Sequence, residues 1–362
     1  MLFTISALTT IILVIFTLLP IWRFEAWWVR SLDFPRLQLL VISLLLLIMQ
    51  LVLLDLSQPS TWILLVFALS CFGYHAWWIL PYTKVFPVEV KSAADTDRQR
   101  IIRIMTANVL TPNRNAKALI ELVRKNVPDL FVTLESDGWW QERLDSLAPD
   151  YPHTIKCPLD NLYGMHVYSR LPLSDSHINY LVEPDIPSIH TLVTLRSGDK
   201  IRHHFLHPAP PSPTENDRSS ERDAELIIVA RSVAETNDPV IVTGDLNDVA
   251  WSETTRLFRK ISGLLDPRVG RGMFNTFHAD YWFMRWPLDH LFHSDHFTLS
   301  KICRLPDFGS DHFALLTELV LEKRLATAQQ GLDADDDDVS WAQSKAAGQG
   351  VDKNDVPEPG TH

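Results

Sequence analysis

Cysteine is scarce and poorly placed for joint work: Cys71, Cys157 and Cys303 are the only 3 in 362 residues. Their spacing matches neither a zinc site nor a disulfide framework. Positive charge is also short, with 33 Lys and Arg against 44 Asp and Glu for a formal net charge of −11. That balance gives no broad attraction to a nucleic-acid backbone, which normally requires clustered Lys and Arg. The N-terminus lacks the basic stretch of a signal peptide, and no small-residue cleavage site precedes Trp22 and Arg23. The opening apolar run therefore reads as a membrane helix, with a cleaved leader as its rival.

Charge is missing altogether from three segments: Leu2–Trp22, Leu37–Leu54 and Thr61–Leu80. Each approaches the roughly 17–25 residues a helix needs to cross a hydrocarbon core. Trp62, Trp77 and Trp78 stand near the ends of the third, as interfacial tryptophans do. Buried core helices are the competing reading for the second and third runs, and the short connector between them argues against it. Arg23, Arg30 and Arg36 fill the first loop, whereas Ser57–Ser60 holds no basic residue. Lys84, Lys91, Arg98, Arg100 and Arg103 follow the third run. With three crossings, the positive-inside rule predicts a multi-pass membrane protein with a periplasmic or external N-terminus and a cytoplasmic main domain. The lipid bilayer is thus an expected partner, and no protein partner is inferable.

The expected organisation is an anchor over 1–80, a linker over 81–99, a domain over 100–321 and a tail over 322–362. The tail holds nine acids against four Lys and Arg, including Asp335 to Asp338 in a row, and is expected to be disordered. Within the domain, strand-like runs alternate with helical ones. Strands are expected at Ile101–Ala107, Asp129–Leu134, His166–Ser169, His190–Leu195, Lys200–His207, Pro239–Thr243, Asp289–His293 and His312–Leu319. Helices are expected at Asn115–Asn126, Gly138–Leu147 and Glu221–Glu235. The pattern predicts a layered α/β architecture without fixing strand order.

Several apolar strands run up to a polar residue that a core role does not require. These residues are Asn108, Glu135, His207, Asp245 with Asn247, Asp289, and Asp311 with His312. An α/β enzyme places its site on such rigid strand ends. Taken singly each signal is weak, because an Asp after a strand is more often a helix N-cap or a turn residue. The combined order is what makes chance implausible.

Thr106-Ala-Asn108, Leu134-Glu135-Ser136, Gly164 to Pro172, Phe205-Leu-His207-Pro, Gly244-Asp245-Leu-Asn247-Asp248, Leu288-Asp289-His290 and Gly309-Ser310-Asp311-His312 form an ordered set. It resembles the successive motifs of the endonuclease/exonuclease/phosphatase superfamily, most closely its bacterial YafD-like membrane-anchored group. The resemblance implies a four-layered α/β sandwich with two central mixed or antiparallel β-sheets, here preceded by three transmembrane helices. It also implies a divalent-metal-dependent hydrolase of phosphate esters. Asn108, Glu135 and Asp311 match metal-binding positions, and their oxygen donors favour Mg²⁺ or Mn²⁺. Asp245 matches the residue that orients or deprotonates the attacking water, and Asn247 one that hydrogen-bonds the phosphate. His312 matches the phosphate-contacting histidine, Asp289 the carboxylate fixing its tautomer, and His207 a histidine able to protonate the leaving group. Ser169 and Arg170 read as structural.

The expected substrate is a phosphodiester, either nucleic acid or a lipid headgroup. Trp139, Trp140, Trp282, Phe283 and Trp286 lie near these motifs and could stack a base, line a lipid groove or belong to the core. The alternative is a catalytically silent membrane scaffold or binding module that keeps the fold.

Overall fold

The computed structural model describes residues 1–94, 97–322 and 329–360. Positions 95–96 of the expected linker, and 323–328 and 361–362 of the expected tail, lie outside the described residues.

Helices α1 (Leu2–Leu18), α2 (Trp27–Arg30), α3 (Arg36–Leu53) and α4 (Pro59–Ile79) come first. Of these, α1, α3 and α4 are long and apolar enough to cross a membrane. Inside their bundle, polar pairs sit beside the apolar cluster of Leu13, Leu39, Leu46 and Ala68, and the outside is apolar. Gln50 Nε2 donates to Ser6 Oγ (3.1 Å) and Thr10 Oγ1 (3.0 Å), and Thr17 Oγ1 pairs with His75 Nε2 at 3.0 Å. Leu8, Ile12, Leu45, Val52 and Ile63 face outward. Water would penalise that arrangement, whereas lipid favours it.

The domain contributes β1 (Ile101–Asn108), α5 (Ala116–Asn126), β2 (Leu130–Leu134), α6 (Gly138–Leu144), β3 (His153–Cys157), β4 (Met165–Ser169), β5 (Leu173–Asn179), β6 (Ser188–Thr194) and β7 (Lys200–Leu206). After these come α7 (Ser220–Val233), β8 (Val240–Asp245), α8 (Glu253–Ser262), β9 (Asp289–His293), β10 (Phe297–Arg304), β11 (Leu315–Leu321) and α9 (Asp336–Gln349). One sheet has the order β10-β11-β1-β2-β4-β3 and the other β5-β6-β7-β8-β9. Among the described strands, β1–β2 and β7–β8 pair in parallel and the other pairs are antiparallel, so both sheets are mixed.

Ile104, Val132 and Val167 of the first sheet meet Ile189, Phe205 and Ile241 of the second in the central core. Outside the first sheet, α5 and α6 cover Met105, Phe131 and Tyr168. Outside the second, α7 and α8 cover Leu206, Val242 and Phe292. These four layers are the expected sandwich. Strands β3, β5 and β10 and helix α8 were not predicted. In β5 the polar residues of LSDSHIN mask the strand period, and α8 is short but capped at both ends, by Ser252 Oγ accepting from Thr255 N and by Gly263 at φ +68°.

The anchor is knitted to the domain. Trp251 Nε1 donates to Asp33 O (3.0 Å), Tyr82 Oη donates to Ala250 O, and Ser219 N donates to Glu25 O (2.8 Å). The stretch expected as a linker is packed as well: Val90 is fully buried in the central core, and Leu299 N and Ala93 N bond across to form a short edge beside β10.

The expectation of a disordered tail is corrected by α9. The four aspartates read as a disorder signal serve the helix N-terminus. Asp335 and Asp338 form a reciprocal capping box, and Asp336 and Asp337 sit in the first turn, where the helix dipole favours negative charge. Ala342 and Ala346 are buried against α7 and α8, and Lys345 Nζ reaches Asp223 Oδ2 (2.7 Å) and Glu25 Oε1 (3.0 Å). Burial disfavours the Asp223 carboxylate, but Lys345 and Arg222 together hold its pKa well below the usual range. Its contribution is therefore present above about pH 4 and lost as pH falls. Lys345→Met is expected to lower stability by about 3 kcal/mol, because it strips a cation from a carboxylate closed to water. Thermal unfolding of the full chain checks this, and an unchanged Tm rules it out.

Candidate functional site

The polar residues singled out in the sequence come from six strands but one edge of the sandwich. Asn108, Asp245 and the positions just after β2 and β7 mark strand C-terminal ends. Asp289 opens β9 and His312 precedes β11, and each of those strands runs antiparallel to its neighbour, β8 or β1. Asp245 and Asp289 are direct register partners. Between the sheets, Thr106 Oγ1 meets Thr243 Oγ1 at 3.0 Å and ties this end together.

Two glycines allow the close approach. A Cβ on Gly244 (φ +152°) would lie 1.8 Å from Leu206 O, so only glycine lets β8 deliver Asp245 beside β7. A Cβ on Gly164 would lie 2.1 Å from Ser136 O, at the turn that follows Glu135. Glu135 itself holds φ +58° and Asn247 φ +51°. A left-handed glutamate is costly, and such strain persists only where the surroundings over-determine it.

The side chains form one chain of contacts. Asn108 Nδ2 donates to Glu135 Oε1 (2.7 Å) and to Asp245 Oδ2 (3.1 Å). Asp245 Oδ2 lies 3.5 Å from His312 Nε2, and His312 Nδ1 lies 2.8 Å from Asp289 Oδ2. Asn247 N donates to Asp245 Oδ1 at 2.9 Å, and Asn247 Nδ2 donates to Pro208 O. His207 is buried with Nδ1 unpartnered, its ring 5.2 Å from that of Tyr163. Asp311 is half-buried, and Ser310 Oγ bridges it to Asn108 O.

Burial opposes charge throughout, and the residues answer it differently. Burial raises Glu135 to about 7 despite the Asn108 hydrogen bond. Burial would also discharge His312, but Asp289, Asp245 and Asp311 overcome it and push the imidazole up to about 10. Asp245 is buried too, yet His312 and His207 keep its pKa below the ordinary value. Burial takes His207 down to about 4, against a smaller opposing pull from Asp245, so it is neutral near pH 7. The site thus holds a persistent imidazolium between carboxylates beside a glutamate on the edge of ionisation.

Residues 105–312, more than half of the sequence, match the family model described as "Endonuclease/Exonuclease/phosphatase family". The chain belongs to the endonuclease/exonuclease/phosphatase family.

Solved structures agree on the fold. D. rerio TDP2 humanized by 14 mutations is similar at 20% identity and TM-score 0.51, covering 61% of this chain and 99% of that one. The human Nocturnin catalytic domain with bound sulfate anion aligns at 18% identity and TM-score 0.51, covering 62% and 95%. An endonuclease/exonuclease/phosphatase from Beutenbergia cavernae aligns at 19% identity and TM-score 0.51, covering 62% and 72%. No curated protein matches the sequence.

Enzymes of this family are in general dependent on divalent metal, and the donor set in this chain fits one. Glu135 Oε2 and Asp289 Oδ1 are buried without a hydrogen-bond partner. A carboxylate oxygen in that condition is costly unless a cation completes it. Among the described residues, Asp245, Asp289 and His312 bring ligating atoms within 4.8 Å of one another. This group differs from the sequence-derived set of Asn108, Glu135 and Asp311. Both His312 nitrogens already face carboxylates, which leaves Glu135 the freer donor.

Sequence reasoning missed the supports of this family site. Arg222 is buried between Asp223 (2.9 Å) and Asp248 (3.5 Å), and its Nη1 donates to Asn247 O. Arg268 pairs with Asp266 and His290, and His290 Nε2 in turn meets Asp248 O. Thr276 Oγ1 accepts from Asp289 N, and the Phe277 ring lies 4.9 Å from that of His312. Arg222 stands among Glu221, Asp223 and Glu225 in the polar opening of α7, so nothing in the sequence distinguishes it. Of the aromatics named from sequence, Trp140 is core, Trp139 carries Arg114 and Arg143 over its ring, and Trp282 and Phe283 are exposed.

Proposed function

We propose that the chain is a membrane-anchored, divalent-metal-dependent phosphoesterase. The observation that carries this reading is the unbroken chain Glu135–Asn108–Asp245–His312–Asp289, assembled from two sheets at one edge. Phosphodiesters resist hydrolysis because their negative oxygens repel the nucleophile and the leaving oxygen departs as an anion. A bound Mg²⁺ or Mn²⁺ would neutralise phosphate charge and polarise the ester. Glu135 and Asp311 would hold it, with Asn108 supplying a neutral oxygen.

The other residues supply the remaining chemistry. Asp245, ionised and pinned by Asn247 N, orients the attacking water and accepts its proton. His312, kept charged by Asp289, binds the phosphoryl oxygens as charge builds in the transition state. Asn247 offers its amide to the same group. His207 is neutral in the free protein, so it acts on the leaving side only once an adjacent phosphate anion favours its protonated form. The alternative of a silent scaffold finds no support in a site whose acid, base and cation-holding residues are all present.

The deciding assay uses the full chain with Mg²⁺ or Mn²⁺ against bis-p-nitrophenyl phosphate, plasmid DNA and single-stranded DNA. EDTA-sensitive turnover is expected, and a folded protein that neither turns over any diester nor binds cation overturns the reading. A pH dependence follows from Glu135, which must ionise to hold the cation. Because its pKa is raised to about 7, cation affinity is expected to fall about tenfold per unit below that pH and to level off above it. Titration calorimetry across that range checks the slope.

We further propose that the bilayer holds the apolar bundle, with the domain on the cytoplasmic side. The three basic residues of the first loop lie on the domain's side of the bundle, which supports this orientation.

A further inference from the structure

The loop between Phe277 and Trp286 joins the candidate site to the membrane anchor. At its base, Phe277 stacks on Trp286 (centroids 6.2 Å, interplanar 22°) while its ring touches that of His312. At its tip, Tyr281, Trp282, Phe283 and Met284 are 49%, 79%, 54% and 40% exposed. Four consecutive exposed apolar residues are unusual on a surface that meets only water.

The tip is fixed at the level where α3 begins. Gln38, two residues into that apolar helix, donates from Nε2 to Phe283 O at 2.9 Å, and Phe34 meets Trp286 edge-on at 5.5 Å. Trp22, at the end of the first apolar run, and Trp77, at the end of α4, are also exposed at this end of the bundle. Tryptophans gather at the headgroup level of a bilayer. The loop tip thus stands at the end of the bundle where such a belt would lie.

Between the loop and the anchor runs an apolar groove of about 470 Å³. Phe34, Pro35 and Gln38 form one wall, Phe283, Met284 and Trp286 the other, and Pro211 closes one side. That volume lies within the range of small-molecule sites. Its walls continue the catalytic strands: Pro211 is four residues after His207, and Trp286 is three before Asp289. The groove also has a polar element, since Gln38 Oε1 and Trp286 Nε1 are both buried without a hydrogen-bond partner. The Trp286 N–H suits an ester carbonyl of a glycerolipid, which accepts but does not donate. Near His312, Arg285 and Arg304 lie 5.0 and 4.2 Å from the ring centre of Phe313, giving that rim two cations for an anionic headgroup.

We propose that this groove takes an acyl chain of a membrane phospholipid, and that the phosphodiester of its headgroup is the substrate of the adjoining site. The inference rests on the phosphoesterase reading above and gives it a substrate class. The step is hydrolysis: water adds to phosphorus, one P–O ester bond breaks, and the water's proton ends on the departing oxygen. The lipid reaches the site laterally from the bilayer that holds the anchor, which suits a chain of net charge −11.

The test uses the full chain reconstituted in vesicles of phosphatidylethanolamine and phosphatidylglycerol with Mg²⁺. Loss of intact phospholipid is measured beside hydrolysis of bis-p-nitrophenyl phosphate by the same preparation. Met284→Glu, which sets a charge on the groove wall, is expected to lower the ratio of lipid to soluble-diester turnover about tenfold. A phosphatidylglycerol with a photoactivatable acyl chain is expected to label peptides containing Pro211 or Met284. Turnover of the soluble diester without any vesicle lipid overturns the inference while sparing the phosphoesterase reading. So does a ratio unchanged in Met284→Glu, or label confined to the outer faces of α1 and α4. Absence of turnover on both substrates removes the phosphoesterase reading, and the substrate assignment with it.

Discussion

Asp245→Ala is expected to lower kcat on a soluble diester by about 10³-fold, within the usual span for loss of a general base. The carboxylate is 1% exposed and touches three groups of the site: Asn108 Nδ2, Asn247 N and the His312 imidazole. No neighbour can replace it. Asp289 is committed to His312 Nδ1, and Glu135 is occupied by Asn108 and has a pKa too near neutrality to stay ionised without a cation. Cation affinity is expected to survive, since the proposed holders are Glu135 and Asp311. Steady-state kinetics paired with calorimetry separates the two effects. Wild-type kcat in a folded Asp245→Ala protein would sink the assignment.

His312→Ala should cost about 10²- to 10³-fold in kcat/KM, the scale of removing a preorganised donor to developing negative charge. Asp289→Asn is the more informative partner variant. It keeps the shape and a hydrogen bond to Nδ1 but removes the largest of the charges that hold His312 protonated. The sign is definite. A histidine raised to about 10 stays charged through neutrality and loses its proton only as pH climbs toward that value. Activity that needs the imidazolium therefore has an alkaline limb, and Asp289→Asn moves that limb to lower pH. A pH profile of kcat/KM with an unmoved limb would show that His312 does not act as a cation.

The candidate residues were legible in sequence because each is a polar group closing an apolar strand, and all but His207 fall into one hydrogen-bonded chain or its border. Their supports were not legible. Arg222 reads as an ordinary helical arginine until α7 packs it under the Asn247 carbonyl, and Lys345 lies 122 residues from the Asp223 it neutralises. Phe277 carries no mark of its contact with His312. Composition even pointed the wrong way for the tail, because a run of aspartates is a disorder signal in isolation and a helix cap when a buried face follows it.

By itself, then, the sequence determined the apolar spans, the alternation of strands and helices, and the identity of the strand-end donors. Those are local properties, written in periodicity and in the chemistry of single positions. Only the tertiary structure decided which strands lie side by side, which carboxylate meets which imidazole nitrogen, and that the site loop leans on the apolar N-terminal helices. Pairings between distant segments depend on register and on the burial that follows from it. Burial in turn sets which of these acids and bases are charged, and no window of sequence contains that information.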